Sequence, residues 1–294
     1  MIILCLILLG IVFFKSPIMR YSFLHLPQVV FHAVVDIRKY IKFKRWNEFS
    51  GYGRMDIYIA DDSQPFGSGK TLNAVRDIRA IYQHYNDVDV YNSELMEWGK
   101  QYVHILSNIE LLDIPYLPLE STTQITDIVN LPDVTTPDVH IYVIFIDELG
   151  RIFNNRDWKT NLSSDLLGAL LQQRKQKILL KGTVQDFSLF DATLRKLSSI
   201  VYVCKKKWRF LVRDIYVATD LERSGYNTSM ISSRGSSCAF ATDRLYNSYN
   251  TNEVVKDLAR NVLEGKQISN YEILQNSMTN LPYVHKAKKK KRSA

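Results

Sequence analysis

The stretch MDIYIADDSQPFGSGKT, residues 55–71, predicts a buried strand, a Gly-rich turn and the start of a helix at Lys70. Gly67 and Gly69 lack a Cβ, so the backbone there can take positive φ and approach a ligand closely. Amides at a helix N-terminus attract phosphate oxygens, helped by the positive end of the helix dipole. We therefore predict a phosphate-binding loop made of Gly67, Ser68, Gly69, Lys70 and Thr71.

The residue types in this loop suit a nucleoside triphosphate with magnesium. Lys70 is expected to reach the β- and γ-phosphates of ATP, and the Thr71 hydroxyl is expected to hold Mg²⁺. The usual motif begins with a glycine where this chain has Gln64. A surface Gly-Ser turn ahead of an ordinary helix is the alternative interpretation.

Composition limits the classes of function only weakly. The 294 residues carry a net charge of +8, but six of the last nine residues are Lys or Arg, so the remainder carries about +2. The basic balance therefore gives no argument for a nucleic-acid partner. The three cysteines are widely spaced and suggest neither a disulfide framework nor a zinc site, which fits a reduced, cytoplasmic environment.

The N-terminus is almost wholly apolar. Residues 1–14 would rise about 21 Å as a helix, and residues 1–19 about 28 Å, close to the ~30 Å of a bilayer core. We predict a transmembrane anchor over residues 1–19, with Lys15 reaching toward the headgroups. The positive-inside rule then leaves the chain body in the cytoplasm. A signal peptide or a membrane-surface segment is the alternative.

Residues 20–50 are predicted to form a basic, amphipathic juxtamembrane segment. Apolar residues recur at helical spacing at Val30, Val34, Ile37 and Ile41, while Lys and Arg concentrate near the end of the segment. Such a helix would lie on anionic membrane lipid. An amphipathic helix packed on the following domain has the same pattern.

A second decisive stretch is HIYVIFIDELG, residues 140–150. The apolar run 141–146 predicts a strand buried on both faces, ending in Asp147 and Glu148. Carboxylates at the end of a central parallel strand lie where open α/β sheets bind ligands. Asp147 is expected to hold Mg²⁺ through water, and Glu148 to polarise the attacking water. This is the Walker B arrangement, and it complements the glycine-rich loop.

Alternating strand and helix patterns predict one α/β domain over residues 51–265, with a mainly parallel sheet and helices on both faces. Strands are expected at 57–60, 88–91, 102–106, 141–146, 178–184 and 199–204, helices at 71–85, 121–129, 162–176 and 187–197, an antiparallel edge strand or hairpin at 208–218, and loop at 219–250. Helices are expected at 253–263 and 268–278. Residues 266–294 are predicted to hold the second of these helices and a disordered, Lys-rich tail.

The order of these motifs resembles the zonular occludens toxin (Zot)-like P-loop ATPases of the FtsK/HerA superfamily, which include assembly proteins of filamentous phages. The resemblance covers about residues 55–205. Besides the nucleotide motifs it is carried by short matches at Asn108-Ile109, Phe153, Arg156, Gln173-Arg174-Lys175, Gln185, Asp191 and Leu194-Arg195.

This resemblance implies a RecA/FtsK-HerA-like P-loop NTPase fold and a single-pass protein of the host cytoplasmic membrane. It also implies a homo-oligomeric ring such as a hexamer, which hydrolyses ATP with Mg²⁺ to drive phage assembly and extrusion of single-stranded DNA. Single-stranded DNA and phage coat or assembly proteins are then candidate partners. Gln185 would act as a γ-phosphate sensor, and Arg174 or Arg195 as an arginine finger. A surface or ion-pairing role is the alternative for each arginine.

Two features depart from the family pattern. The predicted anchor precedes the ATPase domain, whereas filamentous-phage relatives usually place it afterwards, and Gln64 replaces the first loop glycine. Two other functions therefore stay open. One is a conjugative or segregation ATPase that moves DNA, and the other is a membrane scaffold that binds nucleotide without turnover.

Overall fold

A computed structural model describes residues 16–129, 136–153 and 164–250. The chain divides into two compact units, Met1–Glu48 and Phe49–Ala294. Several predicted features lie wholly or largely outside the described residues, namely most of the anchor 1–19, Arg156, the helices 253–263 and 268–278, and the Lys-rich tail.

The described part of the first unit contains helices α1 (Pro17–Leu24) and α2 (Leu26–Lys42) and a 3₁₀ turn at Arg45–Asn47. The Ser16 hydroxyl accepts a hydrogen bond from the Met19 amide (3.3 Å) and caps α1, whose first residue is a proline. The apolar positions of α2 noted above are exposed. None of the helices in the described ranges is long and apolar enough to cross a membrane.

The second unit is built on a nine-stranded mixed sheet in the order β2-β3-β5-β6-β1-β7-β8-β9, with β4 on β3. The strands are β1 (Arg54–Ala60), β2 (Val88–Asn92), β3 (Glu97–Ser107), β4 (Leu117–Pro118), β5 (Val139–Ile146), β6 (Ile178–Thr183), β7 (Ser198–Lys207), β8 (Phe210–Val217) and β9 (Gly235–Phe240). The central strands β3, β5, β6, β1 and β7 are parallel, while β2, β8 and β9 pair antiparallel. The predicted mainly parallel α/β sheet is therefore confirmed.

Helices cover both faces of the sheet. They are α3 (Lys70–Tyr85), α4 (Thr123–Val129), α5 (Leu149–Ile152), α6 (Ser164–Leu171), α7 (Ala192–Leu197), α8 (Ala218–Arg223) and α9 (Asp243–Tyr246). Alternate residues of β1 enter two separate cores, because side chains alternate across a strand. Ile57 and Ile59 pack with residues of α4–α8, while Tyr58 packs with Val75 and Ile78 of α3.

The prediction of a loop over residues 219–250 is wrong, because this region contains α8, β9 and α9. Strand β9 has the sequence GSSCAF, which lacks a strong strand pattern and is stabilised by pairing with β8. Strand β8 therefore lies between β7 and β9 in the sheet and is not an edge strand. Within the predicted helix 162–176, the described helix α6 ends at Leu171. The predicted helix 187–197 is not continuous, because α7 begins only after Asp191, whose carboxylate caps it.

A buried charged network holds α3 against the sheet. Lys181 of β6 donates from Nζ to Asp56 Oδ2 (3.0 Å) and to the Tyr58 hydroxyl (2.9 Å). Tyr58 donates in turn to Asp77 of α3 (2.7 Å), which also pairs with Arg213 of β8. Burial alone would raise the pKa of Asp77, but Lys181 and Arg213 outweigh it and the pKa lies below its usual value. The network therefore keeps its carboxylate ionised and fixes α3.

Two histidines stack between β3 and β5. His104 Nε2 lies 3.0 Å from His140 Nδ1, and the His104 ring also stacks on Tyr142. Burial, followed by the charge of His140, lowers the pKa of His104 to about 3. Burial likewise lowers the pKa of His140. The fold therefore favours neutral imidazoles at this position.

We predict that stability falls as the pH is lowered from about 6.5 toward 4. Below the unfolded-state pKa of about 6.5 the unfolded chain binds a proton that the folded His104 does not, so acid favours unfolding. The contribution of His104 approaches a limit of about 1.4 kcal/mol per pH unit. Urea unfolding of the full chain across this range measures it.

His104→Phe should flatten this pH dependence, whereas His84→Phe, at an exposed position of α3, should leave it unchanged. An identical pH slope in His104→Phe and the unaltered protein would contradict the assignment.

Candidate nucleotide-binding site

The glycine-rich loop joins β1 to α3 at the edge where the parallel strands end. Gly67 and Gly69 have φ of 67° and 78°, the left-handed region that other residues rarely adopt. A Cβ at Gly69 would also lie 3.0 Å from Leu211 Cδ2. Both the positive φ and this close contact therefore disfavour a side chain at position 69. Gly69 is the N-cap of α3, and the first turn of that helix carries no acidic residue. The helix N-terminus is thus electrostatically suited to an anion.

The loop contains a buried hydroxyl group, that of Ser68. Ser68 is 1% exposed, and its Oγ has no hydrogen-bond partner among the described residues. Buried hydroxyls are normally paired. An orphaned hydroxyl beside positive-φ glycines and a helix N-terminus fits a loop that binds phosphate oxygens.

Gln64, the residue that departs from the motif, braces the loop. Its Oε1 accepts from the Lys206 amide of β7 (3.0 Å), and its Nε2 donates to the Gly67 carbonyl (3.4 Å). Asp61 adds two further links to β7, from its amide to the Cys204 carbonyl (3.1 Å) and from its carboxylate to Lys205 Nζ (2.9 Å). Where the usual motif has a glycine, Gln64 together with Asp61 therefore attaches the loop to the neighbouring strand β7.

Asp147 meets Thr71 although 76 residues separate them in sequence. Thr71 Oγ1 donates to Asp147 Oδ1 at 2.9 Å, and Thr183 Oγ1 donates to the same oxygen at 2.7 Å. Burial raises the pKa of Asp147, against the lowering effect of these two hydrogen bonds. The first and second decisive stretches of the sequence thus form one site.

Two residues of this site were missed or undervalued by sequence reasoning. Thr183, at the end of β6, also accepts from the Glu148 amide (2.9 Å). Asn108 donates from Nδ2 to the Asp147 carbonyl (3.0 Å) and accepts from its amide (2.8 Å). Asn108 was noted only through the family resemblance. Asn108 directly follows β3 and Thr183 is the last residue of β6, so both lie at the C-terminal ends of parallel strands. A polar residue at such a strand end is the sequence signal that points to them.

The side chains of Lys70 and Gln185 are in direct contact. Lys70 Nζ donates to Gln185 Oε1 at 2.9 Å. Burial lowers the pKa of Lys70, and the nearby Asp147 and Glu148 act in the opposite direction. Glu148 has φ of 54° and a side chain paired with Arg151 at 3.4 Å. A left-handed glutamate is a strained conformation of the kind that accumulates at functional sites.

The two candidate arginines lie away from this cluster. Arg195 is buried, donates to the Ser188 carbonyl (3.0 Å) and the Phe190 carbonyl, and pairs with Glu222 (3.4 Å). Those contacts favour a structural role. Arg174 is exposed and packs against Gly53 just before β6, at the edge where the parallel strands begin. The arginine-finger role of either residue stays a prediction.

The oxygen ligands at this site suit ATP with magnesium. Thr71 and Asp147 offer a hydroxyl and a carboxylate, and Mg²⁺ in nucleotide sites takes its remaining ligands from phosphates and water. No group of three or more His, Cys, Asp or Glu side chains able to hold a metal occurs within the described ranges. A magnesium ion carried by the nucleotide does not need such a group.

The structure thus defines a mixed α/β protein with a strand–loop–helix unit of the P-loop type facing a buried carboxylate. The family model of zonular occludens toxin (Zot) matches residues 63–253, and the chain belongs to this family. The resemblance drawn from the sequence is therefore confirmed.

Solved structures similar to this chain include the N-terminal domain of zonular occludens toxin from Neisseria meningitidis. That chain is 17% identical, with a TM-score of 0.42, and the match covers 67% of this chain and 98% of the other. Another is the genome packaging NTPase B204 of Sulfolobus turreted icosahedral virus 2 in complex with ATP-gammaS, at 12% identity, TM-score 0.36 and coverage of 65% and 98%. No curated protein sequence matches the chain significantly.

We predict that Asn108→Ala destabilises the protein by about 1–3 kcal/mol, because it leaves a buried amide and carbonyl of Asp147 unpaired. The displaced carboxylate should also weaken Mg-ATP binding. Urea unfolding and titration with a fluorescent ATP analogue measure the two effects.

Asn227→Ala is a matched control, because that side chain makes one exposed hydrogen bond to the Ser229 amide. A loss in Asn108→Ala no larger than in this control would refute the positioning role.

Proposed function

We propose that this protein binds and hydrolyses ATP at the β1–α3 loop, with magnesium as the cofactor. The observation that carries the proposal is the Thr71–Asp147 hydrogen bond of 2.9 Å, because it joins the loop to the carboxylate that such a site requires. The orphaned Ser68 hydroxyl and the depressed pKa of Lys70 support the same interpretation.

Each residue has a defined part in this proposal. The loop amides and the α3 N-terminus bind phosphate oxygens, and Lys70 neutralises the β- and γ-phosphates. Thr71 and Asp147 hold the magnesium ion, which supplies neutralisation of charge on the phosphate oxygens when bound. Glu148 orients and polarises the attacking water, and Gln185, already within hydrogen-bond distance of Lys70, contacts the γ-phosphate.

We further propose that this ATPase works at the host cytoplasmic membrane as a homo-oligomeric ring in filamentous phage assembly and extrusion of single-stranded DNA. Membership of the Zot family supports this role. The exposed apolar positions of α2, flanked by Lys and Arg, suit contact with anionic lipid. The ATPase domain then faces the cytoplasm.

Lys70→Ala should lower ATP turnover of the full-length chain by about 100-fold or more, because it removes a preorganised cation from the phosphates. Glu148→Gln should lower turnover by about 100- to 10,000-fold while keeping nucleotide binding, because it removes the group that polarises water. Phosphate release and binding of a fluorescent ATP analogue measure the two quantities.

Lys196→Ala, at an exposed position of α7, is the matched control and should retain full turnover. Equal, negligible turnover in the unaltered protein and in both site variants, with nucleotide still bound, would favour a nucleotide-binding scaffold instead.

An arginine acting between subunits should show complementation. Arg174→Ala and Glu148→Gln are each expected to be inactive. Mixing them should restore part of the turnover, because some interfaces then combine an intact Glu148 with an intact Arg174 of the partner subunit. Arg195→Ala should instead lower the unfolding midpoint, since its guanidinium bonds internal carbonyls.

Analytical ultracentrifugation with and without ATP measures ring formation alongside turnover. Full activity in a strictly monomeric particle, or no recovery in any mixture, would remove the inter-subunit role.

A further inference from the structure

Three large aromatic side chains form an exposed cluster at the end of the β7–β8 hairpin. Trp208, Phe240 and Phe210 are 71%, 49% and 45% exposed. Their ring centroids lie 5.6–5.9 Å apart, and Phe210 faces Phe240 directly across the β8–β9 pair. We call this group the aromatic cluster. A contiguous exposed apolar group of this kind is typical of an interaction site, whereas single exposed apolar side chains are ordinary.

Positively charged residues adjoin the aromatic cluster in the sequence, and Lys207 lies opposite Phe210 in the β7–β8 pair. The hairpin segment KKKWRF, residues 205–210, carries four cations, and no carboxylate occurs between Lys205 and Arg213. Lys207 is exposed, and Lys206 Nζ lies 4.9 Å from the centre of the Tyr246 ring. Arg209 pairs with the exposed Asp243. Exposed ion pairs of this kind contribute little energy.

The same hairpin is attached to the phosphate-binding loop. The Lys206 amide donates to Gln64, Lys205 pairs with Asp61, and Leu211 packs against Gly69. A ligand held on the hairpin would therefore contact an element whose backbone is hydrogen-bonded to the nucleotide loop. This attachment favours a cargo of the ATPase over a passive lipid contact.

We infer that the aromatic cluster and its flanking lysines bind single-stranded nucleic acid. Unpaired bases stack on aromatic rings, and the phosphates between them pair with Lys and Arg, whereas a duplex keeps its bases stacked internally. The inference deepens the proposed function, since it assigns the polymer a place on the ATPase. It rests on that function only for the link to hydrolysis, because binding itself needs no nucleotide.

The test measures anisotropy of a labelled oligo(dT) strand of about 16 nucleotides with the full-length chain in the absence of nucleotide. Trp208→Asn and Phe240→Thr should each weaken binding about tenfold or more, because each removes one stacking ring. Asn suits the left-handed backbone of position 208, where φ is 55°, and Thr suits a strand, so both variants should fold. Lys207→Gln should reduce the slope of log K against log salt by about 0.7.

Trp98→Thr is the matched control, because Trp98 is also exposed on an antiparallel strand pair and contacts Tyr91. It should bind oligo(dT) as the unaltered protein does. Equal loss in Trp98→Thr, or unchanged binding in both hairpin variants, would overturn the inference.

Two other occupants give distinct results, and either one overturns the inference. Trp208-dependent binding to vesicles containing phosphatidylserine, with no oligo(dT) binding, would assign the hairpin to lipid. Trp208-dependent self-association without oligo(dT) binding would assign it to a second copy. Lys70→Ala separates the two proposals: loss of turnover with oligo(dT) binding retained leaves the hairpin site intact. Normal turnover without oligo(dT) binding rejects the hairpin site alone.

Discussion

One carboxylate oxygen, Asp147 Oδ1, receives hydrogen bonds from the hydroxyls of Thr71 and Thr183. These bonds join the start of α3 to the ends of β5 and β6, so they fix the loop against the sheet. A carboxylate this buried is costly unless its oxygens are hydrogen-bonded. Asn108 completes the arrangement from β3 by holding the backbone on either side of the carboxylate.

Burial is the largest influence on the electrostatics of the site. Burial raises the pKa of Asp147 and lowers that of Lys70, so each group is pushed away from its charged form. A cation near the carboxylate and a polyanion near the lysine would each favour the charged form. The network through Lys181 and Asp77 joins α3 to the sheet, and breaking such a buried pair is destabilising. The site is therefore preorganised for charges that the protein does not itself supply.

The substitution of Gln64 for a loop glycine changes how the loop is supported. The amide side chain ties the loop to the main chain of β7, and the neighbouring Asp61 pairs with the same strand. The loop is consequently coupled to the β7–β8 hairpin, whose cations and exposed rings lie just beyond these contacts. The residue that departs from the motif therefore links the loop to β7 by hydrogen bonds.

The sequence by itself determined the β1–loop–α3 unit, the buried strand β5 ending in Asp147, and the mainly parallel sheet, because contiguous apolar periods and glycine spacing encode them. Only the tertiary structure decided the role of Thr183, the internal contacts of Arg195 and the existence of β9. Each of these depends on partners distant in the chain: Thr183 meets Asp147 across adjacent strands, and β9 is stabilised by its pairing with β8. Local residue patterns carry no record of such pairings, since strand stability is set largely by neighbours in the sheet.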